Sequence, residues 1–169
     1  YKFGLIGSTD SHTSLASAEE KNFWGKYSND STPEIKDQDI IGDANNTGWS
    51  MSAGGLAGVW AKENTRDEIY AAFKRKEVYA TTGPRIGVQV FAGWDLSDIT
   101  YKNFQDLGYK LGVPMGGDLS SISKNSGPSF AMKVVKDPIG ANLDRVQIVK
   151  GWIDRDGKSR EKIYDVACS

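Results

Sequence analysis

The chain of 169 residues is 38% hydrophobic and 25% charged, which provides for one ordinary globular domain or two small ones. Its 21 basic and 22 acidic side chains leave a net charge of −1, an argument against nucleic acid or an anionic membrane surface as partner. The single Cys168 excludes an internal disulfide framework and a cysteine-only zinc cluster within one copy, and no run approaches the roughly 18 apolar residues of a membrane span.

The chain opens on an apolar run, Phe3 to Ile6, that reads as a strand ending in Gly7-Ser8-Thr9-Asp10-Ser11-His12. Alternate residues of an extended backbone point to one side, so Asp10 and His12, the only histidine, are expected to project together as metal ligands. Two ligands are short of a centre, because a catalytic zinc site takes about three from the protein. Ser17 to Trp24 suits one or two helical turns. Residues 25–52 shift to Ser, Asn, Asp, Thr and Gly and read as a long polar loop lacking regular structure.

Gly55 to Ala61 suits a short buried strand. Thr65-Arg66-Asp67-Glu68 has capping-box form, and Ile69, Ala72, Phe73 and Lys76 follow at spacings of three and four, which predicts a helix to about Arg75. Lys74 to Glu77 close that helix as a solvated face. Val78 to Thr81 and Ile86 to Val90 predict two strands around the break Thr82-Gly83-Pro84. Asp95 to Gly127 reads as long connections with one short strand. Ser129 to Val135 and the stretch around Val146 and Ile148 alternate as strands, and Asp156-Gly157 turns a hairpin onto Glu161 to Val166. Residues from 85 onward therefore read as an antiparallel sandwich, distinct from the material before them. Both ends, Tyr1 and Tyr164 to Ser169, fall inside strand-like runs, which suggests a piece of a longer protein.

The motif GSTDSH after a strand, then a helix and EVYATTGPRI, then GVPMGGDL and the closing DPIGANLDRVQIVKGWIDRDGKSREKIYDVACS, resembles the C-terminal part of a bacterial domain-of-unknown-function family. That family is placed in the PHP (polymerase and histidinol phosphatase) superfamily of metal-dependent hydrolases, and the resemblance spans nearly the whole chain. It implies an α+β chain: a C-terminal strand-helix remnant of a PHP-like α/β barrel over 1–84, with the polar loop at 25–52, followed by an antiparallel β-sandwich region over 85–169. It further implies several divalent metal ions, zinc or manganese, at the barrel mouth. The last metal motif, Asp-x-His, maps onto Asp10 and His12, and the earlier ligand motifs would precede Tyr1. The implied activity of the parent protein is metal-assisted hydrolysis of a small anionic ester such as a phosphate ester. A fragment without the upstream ligands would be inactive alone and hold no metal.

Each candidate has a plainer alternative. Asp10 could cap a turn while His12 packs at a strand end. Thr81 to Arg85 suits a turn that uses the freedom of Gly83 and the fixed φ of Pro84, with Arg85 kept as a substrate contact. Trp60, Trp94 and Trp152 read as core or loop anchors, whereas Trp24 and Trp49, carried by the polar loop, are the substrate-binding aromatics. Asp43 to Gly48 lacks the distal Glu of a calcium loop, since Gly54 stands there, and Asp154 to Gly157 reads as a hairpin turn. A rival class is a non-catalytic β-rich module that binds carbohydrate or protein. The apolar flank of residues 2–7 is expected to promote self-association through an exposed strand edge.

Overall fold

The computed structural model describes residues 2–14, 26–27, 32–40, 43–51, 54–120 and 127–169. The fold is α+β, with every strand pair antiparallel and no closed barrel among the described residues. The predicted turns of Ser17 to Trp24 lie outside those residues.

Residues 2–12 are irregular rather than a ladder strand. The apolar run carried no information about a partner, and a strand exists only by pairing. Its side chains face water, with Phe3 76% and Leu5 69% exposed. The polar stretch 25–52 also departs from expectation. Within it β1 (Asp39–Ile40) pairs with β2 (Asp43–Thr47), flanked by 3-10 turns at Pro33–Ile35 and Gly48–Ser50. Short strands of low propensity form where a reversal brings them together, since strand propensity is weak against context.

β3 (Ala57–Val59) and β4 (Val78–Ala80) pair through Gly58 and Tyr79, and α1 (Arg66–Arg75) connects them. The predicted cap forms: the Thr65 hydroxyl accepts from the Glu68 backbone N–H at 3.4 Å, and the helix stops where Lys76 turns left-handed at φ 61°. Ala72 carries the buried face of the helix.

β5 (Gly87–Gly93) is the centre of a three-stranded sheet, order β6-β5-β7, with β6 at Val113–Pro114 and β7 at Ser129–Val135. Between β5 and β6 lies α2 (Phe104–Leu111), where connections with one short strand were expected. The strand is β6. The 3-10 turn Tyr101–Asn103 that leads into the helix starts in a Thr100/Asn103 capping box, where the Thr100 N–H donates to Asn103 Oδ1 at 2.6 Å. The helix packs on Phe91, which is fully buried with Phe104 at 5.4 Å and Tyr109 at 4.9 Å between ring centroids. A Cβ on Gly108 would lie 2.4 Å from the Phe91 ring, so glycine is what lets helix and strand approach.

β8 (Arg145–Ile153) and β9 (Ser159–Cys168) form a hairpin in which Val146 pairs with Ala167 and Gln147 with Asp165, leaving Val166 as a bulge. The hairpin faces the three-stranded sheet across apolar cavities, one of about 410 Å³ between Val88, Met132 and Ile148 and one of about 450 Å³ around Phe130 and Tyr164. Every residue of β9 is exposed. Open apolar space lies between the hairpin and the three-stranded sheet, without the interdigitation of a packed core, so the expected sandwich is not formed among the described residues.

Candidate metal-ligand pair and a buried polar cluster

The Asp10 loop is set by backbone crowding at the end of the β3–β4 ladder. Leu56 and Thr81 extend that ladder by one step: the Thr81 N–H donates to the Leu56 carbonyl at 2.9 Å, and the Leu56 N–H donates to the Thr81 hydroxyl at 3.1 Å. Gly7 lies against this step. A Cβ there would meet the Leu56 oxygen at 2.7 Å, so no larger residue fits without displacing backbone.

Beyond Gly7 the chain turns sharply. Asp10 is left-handed at φ 53°, a conformation Asp tolerates better than most residues, and its N–H donates to the Ser8 hydroxyl at 3.3 Å. The Ser11 and Thr13 hydroxyls share a hydrogen bond at 3.0 Å, which agrees with a turn-forming role for this segment's hydroxyls. The His12 N–H donates to the Lys26 carbonyl at 2.7 Å, and its ring stacks on Tyr27 with centroids 4.7 Å apart and planes 15° apart.

These restraints bring His12 Nε2 to 3.2 Å from Asp10 Oδ1, while Lys26 Nζ lies 3.5 Å from Asp10 Oδ2. Carboxylate and imidazole therefore do meet, through a left-handed Asp10 rather than through strand alternation. Both are more than half exposed. Two donors bound to one zinc at usual bond lengths and near-tetrahedral angles stand about 3.0–3.4 Å apart. The observed separation fits two corners of such a centre. No group of three His, Cys, Asp or Glu side chains is gathered among the described residues, so these residues supply no complete ligand set.

The other site candidates lie elsewhere. Arg85 is exposed, and its backbone N–H donates to Asp137 Oδ2 at 2.7 Å. Asp137 also accepts from the Ile139 N–H at 3.0 Å, and these two bonds hold its carboxyl below the usual carboxylate range. The break at Thr82 to Arg85 is thus fastened to the β7–β8 connection. Trp49 is 66% exposed, donates to Asp37 Oδ1 at 2.6 Å and lies 5.9 Å from Lys36 Nζ. Trp24 lies outside the described residues.

Glu77 corrects the expected solvated face, because it is only 2% exposed. Its carboxylate accepts from Arg75 Nε and Nη2, both at 3.3 Å, and from the Tyr109 hydroxyl of α2. These partners satisfy a buried charge that would otherwise be costly. Desolvation first, then the bond to Glu77, pushes the Tyr109 phenol up to about 12. Gln89 lies beside this cluster, accepts from Gln105 at 3.4 Å and leaves its own Nε2 without a partner among the described residues. The sequence signal for Glu77 was its position: a lone acid between a basic helix end and the apolar Val78.

No curated protein and no solved structure matches the chain. One protein-family model matches it from residue 1 to residue 169, and the chain belongs to that family, the proteins of unknown function DUF3604.

Proposed function

We propose that Asp10 and His12 are two ligands of a divalent-metal centre in a PHP-like hydrolase of small anionic esters, with zinc or manganese as the metal. The observation that carries this reading is the 3.2 Å approach of His12 Nε2 to Asp10 Oδ1 at the end of a short ladder. Further ligands are required, and in this reading they come from outside the described residues. A divalent metal bound there supplies a Lewis acid and lowers the pKa of its water.

The chain's own groups have separate tasks. Asp10 offers Oδ1 while Lys26 occupies Oδ2, which favours ligation through one oxygen. His12 ligates as the neutral tautomer with its proton on Nδ1, and stacking on Tyr27 fixes the ring plane. Arg85 and Trp49 are the proposed substrate contacts, one for an anionic group and one for an apolar moiety. Residues 1–84 then belong to the catalytic body and residues 85–169 to a β-rich appendage.

The test uses the fact that His12 is the only histidine, so its imidazole signal is unambiguous in proton NMR. Zinc should shift the His12 ring protons and manganese should broaden them, and Asp10→Ala should weaken both effects. Two ligands alone hold a metal weakly, so the deciding arm is the natural full-length protein: an Asp10→Ala/His12→Ala variant that hydrolysed p-nitrophenyl phosphate as fast as the parent would sink the reading.

A further inference from the structure

The face of the hairpin turned toward the sheet is apolar at one end and cationic at the other. Register pairs Ile148 with Tyr164, then Lys150 with Lys162, then Trp152 with Arg160 along one side. Arg160 is neutralised by Asp154 at 2.8 Å. Lys150 and Lys162 are not, since neither has a carboxylate within ion-pairing distance among the described residues. Like charges placed directly opposite across a ladder are destabilising.

Each ammonium is instead held over an aromatic ring. Lys150 Nζ lies 5.1 Å from the Trp152 centroid and Lys162 Nζ lies 4.8 Å from that of Tyr164. Tyr164 and Lys150 also line the 450 Å³ cavity, whose other walls are Pro128, Phe130, Ile148 and Val166. Its size lies within the range of about 300–1,000 Å³ usual for small-molecule sites. Lys150 thus stands in the wall of an apolar cavity, and Lys162, opposite it across the ladder, stands beside Tyr164 of the same wall.

We infer that this cleft binds a small amphiphilic anion, with its hydrocarbon portion against Phe130, Ile148 and Val166 and its charged head between Lys150 and Lys162. Charge complementarity selects this occupant. A neutral apolar molecule would leave the lysine pair unrelieved, and a small inorganic anion would leave the cavity walls in contact with water. The two layers can close on such a ligand because open space already separates them.

The experiment uses the 169-residue chain with 8-anilinonaphthalene-1-sulfonate as fluorescent reporter and decanoate, below its micelle concentration, as competitor. Decanoate should displace the reporter, whereas acetate and decanol should each compete at least roughly tenfold more weakly, as expected when head and tail both contribute. Lys150→Gln/Lys162→Gln should weaken decanoate about tenfold, on the scale of a lost charge-assisted contact, and Lys150→Arg/Lys162→Arg should retain it. Both lysines are exposed, so the variants are expected to fold. Raising salt on the unaltered protein should also weaken binding. Equal competition by decanol and decanoate, unchanged affinity in the glutamine variant, or a dimer in light scattering that excludes decanoate would each overturn the assignment.

Discussion

The β5–α2 unit and the β8–β9 hairpin are comparable lengths of chain with opposite physical characters. In the first, Phe91 is fully enclosed by Phe104, Tyr109 and the bare backbone of Gly108, and Gln89 is also buried. In the second, nine residue pairs are in register, yet Val146 and Ile148 are the residues of β8 that are partly buried and none of β9 is. Side-chain packing holds one together, and backbone pairing holds the other. A two-stranded hairpin is marginal in water on its own. The contrast separates the part of the molecule that supplies stability from the part that presents surface.

The contrast is tested most severely at Phe91. Truncation to alanine in a fully buried site of this kind costs about 3–5 kcal/mol in chemical denaturation. A loss below about 1 kcal/mol would mean that the β5–α2 unit is not the anchor of the fold.

An intermediate effect is expected at Tyr109. Tyr109→Phe removes one donor from the buried Glu77 carboxylate and should cost about 1–2 kcal/mol at neutral pH. The pH dependence follows from the raised phenol. The fold holds this proton more tightly than the unfolded chain does, so the contribution is complete below the ordinary value of 10.0 and is lost as pH rises toward about 12. Denaturation midpoints of parent and variant should therefore converge across that interval. A constant gap would place the ionisation elsewhere.

The smallest effect is expected on the hairpin. Ile163 is 53% exposed and pairs with Val149 on the face turned away from the cleft, so Ile163→Thr should change stability by less than about 0.5 kcal/mol. A cost above about 1.5 kcal/mol would show that something covers that face in solution and would narrow the difference between the two regions.

Legibility in the sequence follows the same division between local and distant causes. Helix α1 was readable because its signals are local: a Thr65 cap, acids in the first turn and an apolar stripe. The strands from β5 onward were readable by alternation, and the β8–β9 turn by Asp156-Gly157. Helix α2 is hard to read locally because Gly108 interrupts its pattern, and the reason for Gly108 is a ring seventeen residues earlier in the chain, Phe91. A faint signal was present in Thr100-x-x-Asn103 and the spacing of Phe104, Leu107 and Leu111. The partnering of Asp10 with His12 was legible as spacing, but the left-handed turn that achieves it was not. Local sequence around Glu77 suits a solvated face because nothing near it names Tyr109 as its partner.

The unpaired Val166 has a consequence for how this chain behaves at high concentration. A ten-residue strand with exposed backbone along one side is the shape that recruits further copies into growing fibres. The extra residue puts the free N–H and C=O groups before and after it out of step, so an incoming strand cannot match the whole length. Arg160, Glu161, Lys162 and Asp165 add charges of both signs along the same strand. The hairpin can therefore keep a sticky face without becoming a template for its own aggregation.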